Sequence, residues 1–196
     1  MKVIGLTGSI GMGKTTAANF FRLRRVPVYD ADAAVHKLSA KGGRAVPAIA
    51  KAFPGAVVDG AVDRGALGAM VFRNDAALKK LEAILHPLVA QERRAFLRRC
   101  RARREKVAVL DIPLLFETGS ETDADTIVVV SAPSFLQTAR VMRRPGMTRD
   151  KLEGILARQM PDSEKKRRAD LVIPTGTGKR AALEKIDRLL AEMKKE

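Results

Sequence analysis

The chain of 196 residues has a single cysteine, Cys100, which can close no intrachain disulfide and supply no cysteine metal cluster. It has no tryptophan and one tyrosine, so an aromatic platform for stacking single-stranded bases is poorly supplied. No apolar run approaches the roughly 18 residues of a membrane-spanning helix, and the first residues read as a strand rather than a signal peptide. Two nucleotide-reading patterns are missing as well. The only asparagines are Asn19 and Asn74, and neither opens the Asn-Lys-x-Asp with which a GTPase reads guanine. No G-x-G-x-x-G can be completed from Gly8 or Gly11, which argues against a dinucleotide fold. The composition leads us to expect a cytoplasmic enzyme without membrane contact.

Acidic residues are the scarcer charge: 22 Asp and Glu stand against 37 Lys and Arg, a net charge of +15. That excess fits an anionic partner, either polyphosphate or nucleic acid, and equally a solvated basic surface. The densest cluster is Arg93-Arg94, Arg98-Arg99, Arg101 and Arg103-Arg104. Its spacing leaves Ala95, Phe96, Leu97 and Ala102 for packing, which favours a charged helix face over a nucleic-acid site.

What the chain does have is Gly8-Ser9-Ile10-Gly11-Met12-Gly13-Lys14-Thr15, a G-x-x-x-x-G-K-[ST] phosphate-binding loop. Short apolar residues precede it and helical spacing follows, so it falls between a buried strand and a helix. Gly8, Gly11 and Gly13 let the backbone turn and approach a polyphosphate closely. Backbone N–H groups then converge at the positive end of the following helix. Lys14 would reach the β- and γ-phosphates, and the Thr15 hydroxyl would meet Mg²⁺. Binding of a nucleoside triphosphate is expected.

Five strands are expected at 2–6, 26–29, 107–111, 126–130 and 170–173. They alternate with helices, which implies an α/β fold with a parallel sheet covered on both faces. The second strand runs into Asp30-Ala31-Asp32, ahead of a helix over 33–40. If the chain stays extended through Ala31, both carboxylates lie on one side, suited to an acceptor hydroxyl and Mg²⁺. Helix capping by one of the two is the competing role. Residues 41–74 are rich in Gly, Ala and Pro and read as an insertion of short helices and turns. From Asp75 to Lys106 the pattern is helical, broken at His86-Pro87, where Pro87 is expected to kink or restart the helix. His86 fits either a substrate ligand or a helix-end partner of a carbonyl.

Val107-Ala108-Val109-Leu110 closed by Asp111 is a Walker-B arrangement, whose carboxylate helps to hold Mg²⁺. The loop Pro113–Glu117 follows on the same rim. Ser131 or Ser134 is expected to cap the next helix, which carries Arg140, Arg143 and Arg144 before Pro145-Gly146. A second helix from about Arg149 to Met160 completes either a phosphate-closing lid or a surface hairpin. A closing amphipathic helix is expected over Gly178–Lys195.

The segments Gly5–Thr15, Asp30-Ala31-Asp32, His86-Pro87-Leu88, Asp111–Glu117 and Ala169–Ile173 resemble the dephospho-CoA kinase family, in the family's order and across nearly the whole chain. The resemblance implies the P-loop NTPase fold, an α/β architecture with a five-stranded parallel sheet of order 2-3-1-4-5. It implies one domain with core 1–40, 107–134 and 160–196, a helical acceptor-binding insertion at about 41–106 and a lid at about 135–159. The implied reaction is ATP-dependent phosphorylation of the ribose 3′-hydroxyl of dephospho-CoA, giving coenzyme A and ADP, with Mg²⁺ as cofactor.

By position, Asp32 matches the family's catalytic base, with Lys14 and Arg140 beside it in the catalytic set. ATP contacts fall to Gly8, Gly11, Met12, Gly13, Lys14, Thr15, Thr16 and Arg144. Acceptor contacts fall to Thr7, Asp32, His86, Pro113, Leu114 and Glu117, and metal contacts to Thr15 and Asp111. The implied partners are ATP and dephospho-CoA, with no nucleic acid and no membrane, in a monomer or weak homo-oligomer. The chain departs from the family pattern at Ser9 and Met12, at Pro145 after the lid arginines, and at Pro174-Thr175, where a polar pair with Asn is usual. A nucleoside monophosphate or small-metabolite kinase shares the core and differs in the insertion. A nucleic-acid-binding regulator that uses ATP as a switch is the rival from another class.

Overall fold

The computed structural model describes residues 1–72 and 74–193. Its chain order begins β1 (Lys2–Thr7), α1 (Lys14–Leu23), β2 (Val28–Asp30), α2 (Ala31–Ser39) and α3 (Val46–Ala52). Next come β3 (Val57–Val58), β4 (Ala61–Val62), α4 (Arg64–Val71), α5 (Asp75–Ala102) and β5 (Val107–Asp111). A 3-10 turn (Ser120–Asp123), β6 (Thr126–Ser131), α6 (Ser134–Met142) and α7 (Arg149–Leu156) follow, then α8 (Asp162–Arg167), β7 (Leu171–Pro174) and α9 (Lys179–Met193). The end of the expected closing helix, at 194–195, lies outside the described residues. Among the described residues no helix is long and apolar enough to cross a membrane.

The chain divides into two compact units, Met1–Tyr29 with Arg99 onward, and Asp30–Arg98. The first is built on a five-stranded sheet of order β2-β5-β1-β6-β7. Counting sheet strands alone, that is 2-3-1-4-5. β1 pairs in parallel with β5 and with β6, and β6 in parallel with β7. Every residue of β5 is buried, as a strand covered on both faces requires. The period-2 alternation of β1 sends Ile4 and Leu6 into a core with Val109, Val128, Val130 and Ile173, closed by Phe21 of α1 and Ile186 of α9. Each such side chain contributes about 1.5–3 kcal/mol by leaving water. Gly5 faces the other way, where a Cβ would meet Ala124 at 3.0 Å and Leu115 at 3.1 Å.

The second unit has its own core of Leu38, Ala45, Ile49, Phe53, Ala56 and Leu67. Here the helix does not restart: α5 is one helix of 28 residues with Pro87 inside it. Proline removes one helical donor, at a cost of about 3 kcal/mol. Leu81, Ile84 and Leu85 before it and Leu88 and Val89 after it pack on the same core, so burial on both sides keeps the helix running. The second unit also contains a hairpin, β3–β4, that the residue pattern did not announce.

Two local expectations are corrected. The chain does not stay extended through Ala31: α2 begins there, Asp30 is its N-cap and accepts from Ala33 N at 2.9 Å, and Asp32 sits in its first turn. Neither Ser131 nor Ser134 caps α6; Pro133 holds that position, and Ser131 Oγ instead donates to Asp162 Oδ2 at 2.7 Å. Proline's fixed φ suits a helix start without any side-chain bond.

Candidate active site

The phosphate loop joins β1 to α1, and its glycines are demanded by space and by torsion. A Cβ on Gly8 would stand 2.4 Å from Val130 Cγ2 and 2.8 Å from Val130 O, so the loop can pass β6 only without a side chain. Gly13 caps α1 at φ 90°, in the left-handed region. Its carbonyl accepts from Thr16 N and Ala17 N, and no side chain caps the helix. The N-terminus of α1 therefore presents backbone donors and the positive end of the helix dipole, which together favour an anion.

β1 and β5 are neighbours, with Leu6 opposite Asp111. That register brings the end of β5 beside the start of the loop, and Lys14 Nζ pairs with Asp111 Oδ1 at 2.5 Å. The two side chains are 16% and 4% exposed, so the pair is shielded from water and salt. Thr15 is exposed and Thr16 half-buried on the first turn of α1.

Thr7 is fully buried, and its Oγ1 donates to Pro113 O at 2.9 Å. The same carbonyl accepts from Lys165 Nζ at 3.3 Å. Lys165, on α8, is completely buried, and its ammonium lies 2.9 Å from Glu117 Oε1. Glu117 Oε1 also accepts from Met160 N at 2.7 Å. The acidic end of the Pro113–Glu117 loop is thus engaged in holding that loop in place, while Leu114 stands 38% exposed on it.

Arg140 of α6 donates from Nη1 to Gly11 O at 3.3 Å and to Thr175 Oγ1 at 3.0 Å, and from Nη2 to Thr175 O at 2.7 Å. Its guanidinium thus reaches the phosphate loop. Arg143 and Arg144, one turn further, are exposed. Gln137, Gln159, Thr175 and Lys165 are contacts that motif reading did not place. The two glutamines bind the loop backbone at Ile10, Gln137 Nε2 on its carbonyl and Gln159 Oε1 on its N–H. No local pattern marks them, since each acts through a sequence separation above one hundred residues.

In the second unit, Asp30 is occupied by capping, Asp32 is exposed on the first turn of α2, and His86 is exposed on α5.

A mostly parallel sheet of this order, with G-x-x-x-x-G-K-T between β1 and α1, a strand-end Asp on the neighbouring β5 and an arginine bound to the loop, defines a P-loop kinase. The dephospho-CoA kinase (CoaE) family model matches residues 2–180, and the chain belongs to that family. It is 63% identical over 166 residues to the dephospho-CoA kinase of Paramagnetospirillum magneticum, covering 85% of this chain and 78% of that one. It is 55% identical over 194 residues to that of Mesorhizobium japonicum, covering 99% and 98%. A crystal structure of a Thermus thermophilus protein matches with TM-score 0.82 at 37% identity, covering 97% of each chain.

Proposed function

We propose that this chain transfers the γ-phosphoryl group of ATP to the ribose 3′-hydroxyl of dephospho-CoA, releasing coenzyme A and ADP, the final step of coenzyme A biosynthesis. The observation that supports the reading most directly is Lys14 of the phosphate loop paired with Asp111 of the adjacent strand, in a chain of the dephospho-CoA kinase family. The lone, buried Cys100 suits a reducing compartment, and we place the reaction in the cytoplasm.

Phosphoryl transfer asks a protein for positioning and charge neutralisation more than for covalent chemistry. The donors at the N-terminus of α1 receive the phosphates, and Lys14 places its charge on the β- and γ-oxygens. Arg140 and Arg144 supply further charge, arginine being permanently ionised and suited to bidentate phosphate contact. Asp32 accepts the hydroxyl proton as the ribose oxygen bonds to phosphorus and the bond to the β–γ bridging oxygen breaks. His86 and Leu114 serve the acceptor; Thr7 and Glu117 serve it indirectly, by fixing the loop that carries Leu114.

The oxygen donors of Thr15 and Asp111 are the hard ligands that Mg²⁺ prefers. Among the described residues no group of three or more His, Cys, Asp or Glu is placed to hold a metal ion. Held by Thr15 and Asp111, Mg²⁺ would neutralise charge on the phosphate oxygens.

The test is ADP release from ATP and Mg²⁺ with dephospho-CoA, beside AMP, CMP, phosphopantetheine and buffer alone. Turnover only with dephospho-CoA, and a product heavier by one phosphate, is the expected result. Turnover with a different acceptor would discard the substrate while keeping the kinase. ATP binding without turnover on any acceptor would favour a nucleotide-dependent switch.

A further inference from the structure

Three consecutive carbonyls of the phosphate loop are held by side chains from outside it. Gln137 Nε2 donates to Ile10 O at 2.8 Å, Arg140 Nη1 to Gly11 O at 3.3 Å, and Thr175 Oγ1 to Met12 O at 2.7 Å. Gln137 is only 7% exposed, and a Cβ on Gly13 would touch Thr175 at 3.1 Å, so both side chains are packed against the loop. The N–H of Ile10 is taken by Gln159 Oε1 at 3.0 Å and that of Met12 by Ser9 O at 3.1 Å. The N–H groups of Gly11 and Gly13 meet no acceptor among the described residues.

In a trans peptide the carbonyl and the following N–H point in opposite directions, and the described chain has no cis peptide bond. Drawing Ile10 O and Met12 O outward therefore turns the N–H of Gly11 and of Gly13 the other way. The same two peptides lead into glycines at φ 76° and 90°, the residues whose freedom makes a peptide flip easiest. A flipped peptide would present a carbonyl oxygen where a phosphate oxygen belongs.

We propose that Gln137 and Thr175 are positioning residues for nucleotide binding, locking the Ile10–Gly11 and Met12–Gly13 peptides so that Gly11 and Gly13 N–H donate to phosphate oxygens. Arg140 sets the direction at the second peptide. Because Thr175 Oγ1 accepts from Arg140 at 3.0 Å, its own hydrogen is left for a carbonyl, and Met12 O at 2.7 Å is nearer than Ser131 O at 3.4 Å. The role rests on residues 8–15 being the ATP loop.

The experiment is calorimetric binding of MgADP and, separately, of dephospho-CoA to the purified chain and three variants. Thr175→Val keeps the shape and removes the hydroxyl, Thr175→Ser restores it, and Gln137→Met keeps the length and removes the donor. MgADP affinity should fall about fivefold or more in Thr175→Val and in Gln137→Met, the scale of one lost hydrogen bond. Thr175→Ser should stay within about twofold of the parent, and dephospho-CoA affinity should hold in all three. Unchanged MgADP affinity in either deletion variant overturns the role of that residue, as does a Thr175→Val defect that Thr175→Ser shares. If Thr175→Val does not fold, Gln137→Met still decides whether held carbonyls matter. Failure of the parent chain to bind MgADP is a separate outcome; it would remove the ATP-loop reading and this role with it.

Discussion

Lys14 Nζ lies 2.5 Å from Asp111 Oδ1, tying the first residue of α1 to the last residue of β5. Removing one member of a shielded pair strands the other charge in low dielectric. Lys14→Met should therefore lower stability by about 3 kcal/mol in urea unfolding, and adding Asp111→Asn should recover most of that loss. Simple addition of the two single effects would show that the side chains are not coupled. Turnover in Lys14→Met should fall at least about a hundredfold, because the charge proposed to meet the transferring group is gone.

Asp32 is exposed on the first turn of α2, free of the capping duty that Asp30 performs. Asp32→Asn keeps the shape and removes the carboxylate proposed as the base. We expect kcat to drop by about 10²–10⁴-fold with MgATP affinity little changed. Asp30→Asn, which preserves a good N-cap, should leave turnover near the parent value. Near-normal turnover of Asp32→Asn would remove it from the role.

Lys165 is wholly buried and its ammonium serves Glu117 and Pro113 O. Lys165→Met fills the same volume but leaves Glu117 without its cation. A loss of about 3 kcal/mol in urea unfolding is expected, with partial recovery in the double variant Lys165→Met/Glu117→Gln. Because the pair steadies the Pro113–Glu117 loop, the KM for dephospho-CoA should rise while that for ATP holds. A shift in both KM values together would point to general destabilisation instead.

Burial pushes the Cys100 thiol up, with Glu105 adding to the rise and Arg103 and Arg99 opposing it. A raised folded-state pKa favours the protonated form. The stability it contributes is present in full below the unfolded thiol pKa of about 8.5 and is lost as pH rises through the folded value. Labelling by a thiol reagent at pH 8 should accordingly be slow in the native protein and fast in urea. Fast native labelling would contradict a buried, protonated thiol.

Residue order alone was enough for the parts of this molecule that depend on neighbours in the chain. The phosphate loop, the buried strands and the strand-end Asp111 are legible because strand periodicity, glycine torsions and helix starts act over a few residues. Even so, α2 begins at Ala31 and divides Asp30 from Asp32, since capping competed with strand extension on nearly equal terms. Tertiary structure decided what distant residues do to one another. It carries α5 through Pro87 because a core accepts apolar residues on both sides of it. It sets Thr175 against Met12, Gln137 against Ile10 and Lys165 against Glu117, contacts that follow from which elements the 2-3-1-4-5 sheet places side by side. Side-chain bonds to a backbone 127 or 163 residues away leave no periodic trace in the chain, so only the folded sheet could assign them.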